Sequence, residues 1–164
     1  MKRYARRQDR GVAMLELAII MPILLLLAFG TLEFSLAISE YKTLALQARS
    51  GARHLSFRAP GDLIAREQAV CLVRTGIATT APCPDTPVLP GLANATIIVQ
   101  DSGNSAAHLA QASDDSVYRV RVNLVTVTIS GYQYQPAAGG FLSGLTGVNT
   151  ITFDPISATM RQVL

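Results

Sequence analysis

The chain has 164 residues, of which 49% are hydrophobic and only 15% are charged, and its formal net charge is +3. Five basic residues and one aspartate precede residue 11 and carry a net charge of +4, so the remainder of the chain has a net charge of −1. Because the basic character is confined to a short leader, we expect no nucleic-acid partner, and the apolar composition instead favours a domain attached to a membrane.

An apolar segment follows this leader. Between Val12 and Ile38 the only charged residues are Glu16 and Glu33, and about 20 apolar residues are enough to cross a bilayer. A basic flank is typical of the cytoplasmic side of a membrane helix. We therefore expect a leader at residues 1–11 and a transmembrane helix at residues 12–34 with its N-terminus in the cytoplasm.

A cleavable secretory signal is the main alternative for this segment. Residues 28–30, Ala-Phe-Gly, place small side chains three and one positions before a possible cut. However, Glu16 would then lie inside the apolar part of the signal, and the helical periodicity continues beyond the cut. A twin-arginine signal at Arg6 and Arg7 is a poorer match because polar and charged residues follow it. A retained anchor is the interpretation that we favour.

The start of the apolar segment has a specific pattern. Gly11 precedes Glu16 by five positions behind the basic leader, which resembles the processing site of type IV pilin precursors. Residues 10–34 resemble the opening of the TadE-like family of minor pilins, or pseudopilins, of tight-adherence (Flp-type) pilus systems. Residues 48–53, Ala-Arg-Ser-Gly-Ala-Arg, resemble the end of the stem in the same family. Leu17 departs from the small major pilins of these systems, which usually have Tyr or Phe at this position.

This resemblance implies a function for Gly11, Val12 and Glu16. A prepilin peptidase would cut between Gly11 and Val12, and the Glu16 carboxylate would attract the new N-terminal ammonium of a neighbouring subunit and so set the register of assembly. The partners implied are the peptidase, other pilins and minor pilins, and the pilus assembly platform in the inner membrane. The protein would cross the inner membrane once and take part in the assembly or initiation of a pilus, at its base or tip.

Simpler interpretations of two residues stay open. An unpaired charge in hydrocarbon costs about 2.5–3.5 kcal/mol, but Glu16 is only one turn inside and can extend toward the cytoplasmic interface. Pro22 removes a helix hydrogen bond and can kink the segment, which in pilins allows local unwinding. The alternative is that Pro22 is a tolerated proline in a membrane helix.

The helix is expected to continue beyond the membrane as a stem. Apolar residues recur there at intervals of four and three and predict one helix from Val12 to about Phe57, ending before Pro60, with residues 35–58 in the periplasm. We expect this face to pack on the protein's own sheet, because its alanines bury too little area for a coiled-coil partner. The face comprises Phe34, Ile38, Tyr41, Ala45, Ala48, Ala52 and Leu55.

Residues 59–164 predict a small α+β domain in which the long helix packs on an antiparallel sheet. Asp62 can cap a second helix that ends near Arg74. The apolar alternation of one strand changes phase near Leu124 and Val125, which predicts a bulge, and Pro155 interrupts or bends the last strand. The predicted strands are residues 95–100, 117–130 and 149–154 with 156–162, and residues 131–147 are predicted to form a loop.

Cys71 and Cys83 lie twelve positions apart. In a domain outside the cytoplasm they can form a disulfide worth about 3 kcal/mol. Two cysteines without a nearby histidine cluster make a poor metal site, so we expect no metal and no cofactor.

Catalysis is not expected from this sequence. The common nucleophile-elbow, zinc-helix and phosphate-loop motifs are missing, and His54 and His108 are interpreted as ordinary side chains. Asp114 and Asp115 can bind a cation, but adjacent carboxylates in a loop are usually solvated. The alternative function, from a different class, is a periplasmic binding or sensor domain anchored by an uncleaved helix, without a filament role.

Overall fold

The computed structural model describes residues 5–80, 82–108, 111–112, 121–137, 147 and 149–163, and for residues 5–10, 111–112 and 121–122 it describes only the backbone. Two compact units are present, an N-terminal unit, Met1–Ile38, and a C-terminal unit, Ser39–Leu164. Each unit is described by itself below.

The first helix, α1, comprises Ala5–Ser56. It starts before Val12 because the leader contains Ala, Arg and Gln, which are good helix formers. It ends close to the predicted position. Pro22 lies inside the helix, which continues on both sides of it.

The part of α1 in the C-terminal unit buries one face. Leu44, Ala48, Ala52 and Leu55 are at most 2% exposed, at the spacing of four and three that keeps side chains on one helical face. The predicted stripe is therefore confirmed at Ala48, Ala52 and Leu55, and Leu44 rather than Ala45 begins it.

The earlier residues of the predicted stripe are not buried. Phe34, Ile38 and Tyr41 are 69%, 38% and 50% exposed, whereas Glu33, placed off the stripe by the sequence, is buried. A repeat that alternates four and three advances by 3.5 residues, and an α-helix by 3.6 per turn, so a stripe of this length drifts around the helix.

The second helix, α2, comprises Leu63–Thr75 and is capped at both ends. Oδ1 of Asp62 accepts hydrogen bonds from the backbone N–H groups of Ile64 and Ala65, at 3.0 and 3.1 Å, which satisfies donors that the first turn leaves unpaired. Gly76 follows the helix with φ +80°, a conformation that favours glycine, and its N–H donates to Leu72 O. The predicted second helix and its Asp62 cap are confirmed.

The sheet is antiparallel and is centred on one long strand. β1 is Thr96–Gln100, β2 is Gln111–Ala112 and β3 is Arg121–Ser130. β3 pairs with β1, with β2 and with the C-terminal strand β6, Ile156–Gln162, in each case antiparallel. Together with the two helices this confirms the α+β class.

The predicted bulge in β3 is wrong over the described pairing. The register with β6 is continuous from Asn123 opposite Gln162 to Ile129 opposite Ile156. Val125, Val127 and Ile129 are buried, and Thr126 on the opposite face is also buried. Because both faces of β3 are covered there, strict alternation is not required. Residues 113–120 lie outside the described part of the chain.

Residues 149–162 do not form one interrupted strand. Ile151–Thr152 is a separate short strand, β5, which pairs with β4, Gln133–Tyr134, in a second sheet. Pro155 lies between β5 and β6. β4 falls inside the segment that the sequence predicted as a loop, and residues 138–146 of that segment are not described.

The end of β6 and the residue after it donate hydrogen bonds to the end of α1. Nε2 of Gln162 donates to the carbonyls of Leu55 and Arg58, at 3.4 and 3.3 Å, and Val163 N–H donates to Ser56 O at 3.0 Å. These bonds satisfy carbonyls that a helix end leaves without a partner.

Candidate functional site

The start of α1 contains the residues that the sequence singled out for processing. Gly11 lies within the helix, and a Cβ at this position would meet no described atom within 4 Å apart from the adjacent backbone of its own helix. Val12 is 58% exposed and Glu16 is exposed. A peptidase that requires an extended substrate must therefore unwind this turn, and glycine, whose backbone is the most permissive, lowers the cost of doing so.

Glu16 lies one helical turn beyond Val12. Residues four apart lie on the same helical face and are separated by about 6 Å along the axis. Within the part of the chain that the structure describes, Glu16 makes no ion pair and no hydrogen bond. Its carboxylate is therefore available to a group outside the chain.

The helix that carries these residues presents apolar side chains on all faces. Its most apolar 18-residue window has a mean hydropathy of 2.6, and none of that window is buried. Residues 12–34 would extend for about 35 Å, compared with about 30 Å for the hydrocarbon core of a bilayer. The helix is thus long and apolar enough to cross a membrane, and its exposure distinguishes it from the core helix of a soluble protein.

An aromatic cluster occupies the C-terminal unit. The Tyr132 hydroxyl donates to Oε2 of Glu40 at 2.6 Å, and Phe153 contacts Tyr132, Tyr134 and Tyr41 with ring centroids 5.6, 6.1 and 6.0 Å apart. Burial of Tyr132, together with its hydrogen bond to the Glu40 carboxylate, raises its pKa well above the ordinary value of 10.0. A cavity of about 220 Å³ beside Tyr132 is lined by Glu40, Pro90, Gly91, Asn94, Gln133 and Gln135.

A buried ion pair joins α2 to the end of β1. Asp101 is 1% exposed; its carboxylate accepts hydrogen bonds from Arg66 Nε at 3.0 Å and from the N–H groups of Gly61 and Gly103. Burial by itself raises the Asp101 pKa, but the hydrogen bonds from Arg66, Gly61 and Gly103 and the Arg66 charge outweigh it and hold the pKa below 3.8. No local sequence pattern indicated this pair, because its members are 35 positions apart.

The two cysteines form the disulfide expected from the sequence. The sulfur atoms of Cys71 and Cys83 are 2.05 Å apart. The bond joins α2 to the irregular segment that precedes β1, so it fixes a part of the chain with little secondary structure of its own.

The remaining candidates do not come together. His54 lies on α1, and His108 bonds Ser105 and Thr126 through its two ring nitrogens at 2.9 and 2.8 Å. His108 is half-buried. Asp114 and Asp115 lie outside the described residues. Among the residues that are described, no group of three or more His, Cys, Asp or Glu side chains could hold a metal ion.

Comparison with known proteins gives one match. The family model described as TadE-like protein matches residues 11–53. No curated protein and no solved structure matches the chain. The matched residues include Gly11 and Glu16, the exposed apolar helix, and the buried alanines at the end of α1. The match confirms, over residues 11–53, the resemblance to the TadE-like family seen in the sequence.

Proposed function

We propose that the protein is a minor pilin, or pseudopilin, that takes part in the assembly or initiation of a tight-adherence type IV pilus. In this proposal, α1 anchors it in the bacterial inner membrane, with the leader in the cytoplasm and the C-terminal unit in the periplasm. The observation that carries the proposal is the placement of Gly11 and Glu16 at the head of an exposed apolar helix, in a segment that matches the TadE-like family. The role is structural rather than catalytic.

The first proposed step is hydrolysis of the Gly11–Val12 peptide bond by a prepilin peptidase. Water adds to the Gly11 carbonyl, the C–N bond breaks, and the products are a carboxylate on Gly11 and an α-ammonium on Val12. Cleavage removes a leader of net charge +4, which would otherwise hold this end of the helix at the cytoplasmic face. The mature helix is then free to move out of the bilayer.

The second proposed step is the pairing of Glu16 with the Val12 ammonium of a neighbouring subunit. The absence of a partner for Glu16 within the described chain supports this step. In a medium of low dielectric such a pair attracts much more strongly than in water. A buried charge without a partner is energetically costly. The pairing therefore favours the axial offset between subunits that brings the Glu16 carboxylate next to the Val12 ammonium.

The partners in this proposal are the prepilin peptidase, other pilins and minor pilins, and the assembly platform in the inner membrane. The peptidase recognises the turn at Gly11. Neighbouring subunits recognise the apolar surface of α1 and Glu16. The C-terminal unit stays outside the bilayer in every case.

N-terminal sequencing of the protein extracted from membranes tests the proposal. We expect a first residue of Val12, and we expect a Gly11→Ile variant to retain Met1 because a branched side chain obstructs the peptidase. A start at Thr31 would instead indicate secretion with a cleaved signal. An intact leader in the wild-type protein would indicate a simple anchor for a periplasmic binding or sensor domain, and either result contradicts the proposal.

A further inference from the structure

An open groove of about 580 Å³ lies where the end of α1 passes α2. It is lined by Ser50, Arg53, His54, Phe57, Arg58 and Leu72, all of which belong to the C-terminal unit. None of these lining residues is acidic. We call this surface the α1-end groove.

Arg53 and Arg58 in this groove carry charges that no described residue neutralises. Both are exposed, and within the described chain neither guanidinium takes part in an ion pair or a hydrogen bond. The ion pair between Arg66 and Asp101 lies outside the groove. The groove is therefore a cationic surface without its own counter-charge.

Basic residues at the end of a helix often bond the last backbone carbonyls, but here three of the last four carbonyls of α1 already have other donors. Arg53 O accepts from the Ser56 hydroxyl at 2.8 Å, and Ser56 O accepts from Val163 N–H. The carbonyls of Leu55 and Arg58 accept from Gln162. The two guanidinium groups are thus left for a ligand from outside.

The same groove contains apolar surface and an unsatisfied polar atom. Phe57 is 63% exposed, and Leu72 is half-buried beside it. Nε2 of His54 is buried and has no hydrogen-bond partner in the described structure. The exposed ring of Phe57 lines the same groove as the two arginines. This combination favours a ligand that offers both carboxylates and apolar side chains.

We propose that the α1-end groove binds an acidic segment of a partner polypeptide. Glu or Asp side chains of the segment pair with Arg53 and Arg58, because guanidinium groups bind carboxylates through two parallel hydrogen bonds. An apolar side chain of the segment packs on Phe57 and Leu72. The groove is open to solvent and so accessible to a polypeptide segment, and the exposed ring favours a peptide over a free inorganic anion.

This proposal is independent of the pilus assignment. A protein held by an uncleaved anchor would present the same groove, since all its residues lie beyond the apolar part of α1. The test of leader processing and the test of acidic-segment binding can therefore give opposite results.

The test measures fluorescence anisotropy of a short labelled peptide of alternating glutamate and leucine, titrated with the full chain in nanodiscs of zwitterionic lipid. We expect saturable binding that the double variant Arg53→Gln/Arg58→Gln weakens by about tenfold or more and that added salt weakens too. The matched control is Arg161→Gln, an exposed arginine on β6, which we expect to bind as the wild type does. Phe57→Ser is expected to weaken binding with the charges intact.

Three outcomes would overturn the proposal. They are the absence of saturable binding, equal binding of a glutamine–leucine peptide, and equal loss in the Arg161→Gln control. In a separate arm, the nanodisc-held protein is floated with phosphatidylglycerol vesicles. Binding to vesicles that depends on Arg53 and Arg58, without peptide binding, would assign the groove to a lipid surface instead. Thermal unfolding of each variant verifies that it is folded.

Discussion

The hydroxyl of Tyr132 donates a 2.6 Å hydrogen bond to the carboxylate of Glu40, 92 positions earlier in the chain. Tyr132 is 2% exposed and lies between β3 and β4, whereas Glu40 lies on α1. The bond therefore joins the long helix to the segment that leads into the second sheet. A buried hydroxyl without such an acceptor would be costly.

Tyr132→Phe tests this bond. We expect the variant to lower the free energy of unfolding by about 1–3 kcal/mol, because Glu40 loses its donor in a part-buried site. Denaturant unfolding of the full chain in detergent measures the change. Tyr41→Phe is the control, since Tyr41 is half-exposed and its hydroxyl makes no hydrogen bond within the described chain. Equal losses in the two variants would contradict the interpretation.

Gly51→Ala is expected to destabilise the C-terminal unit by about 1–3 kcal/mol through overpacking. A Cβ at Gly51 would lie 2.6 Å from Cγ2 of Val73, so the Val73 side chain or one of the two helices would have to shift. Adding Val73→Ala should recover part of the loss, as expected for residues in direct contact. Gly30→Ala is the matched control, because no atom lies within 4 Å of a Cβ there. Thermal unfolding should show no loss for Gly30→Ala.

Asp101 makes stability depend on pH in the acid range. Its pKa in the folded protein is below the ordinary 3.8, so its contribution is fully present above about pH 4–5 and is lost as the pH falls through 3.8 and then through the folded pKa. Asp101→Asn should cost about 3 kcal/mol near neutral pH, since it leaves the part-buried Arg66 charge without its carboxylate partner. The free energy of unfolding of this variant should also depend less on pH in the acid range than that of the wild type. If Asp101→Asn loses stability with falling pH as steeply as the wild type does, this interpretation is contradicted. The control is Glu67→Gln, which removes an exposed carboxylate.

Loss of the Cys71–Cys83 disulfide should cost about 3 kcal/mol, through the larger conformational freedom of the unfolded chain. The double variant Cys71→Ser/Cys83→Ser and the reduced wild type should unfold at similar denaturant concentrations. A reductant should have no effect on the double variant. If the oxidised wild type and the double variant unfold together, the bond does not contribute to stability.

Glu16→Gln tests the proposed role of this carboxylate. The variant keeps the size and the apolar flanks of the helix, so we expect it to stay in the membrane and to lose its leader, while pilus assembly is abolished. Membrane fractionation, N-terminal sequencing and counting of pili measure the three properties. Glu67→Gln, on the surface of α2, should assemble normally. Normal pili in Glu16→Gln would contradict subunit registration.

Local signals in the sequence predicted the helices well. The Asp62 cap placed the start of α2 correctly, and the end predicted near Arg74 is one residue from the observed Thr75. An unbroken apolar pattern defines α1. The start of α1 was missed because a charged leader carries no apolar periodicity, although its residues favour a helix. The apolar helix and the Gly11–Glu16 spacing also supplied the family resemblance.

Relationships between distant parts of the chain could not be predicted. The pairing of β4 with β5 involves two residues on each side, too few to produce a visible alternation. The close approach at Gly51 depends on Val73, which lies on another helix. The α1-end groove likewise needed the structure, because Arg53 and Arg58 count as ordinary solvated charges until the carbonyls beside them are seen to be occupied.

The hydrogen bonds from Gln162 and Val163 to the last turn of α1 couple the end of this helix to β6, which itself pairs with β3. A substitution that detaches β6 from β3 would therefore also leave carbonyls of the last helical turn without their donors. We expect the end of the helix and this strand to open together as one cooperative unit in hydrogen exchange.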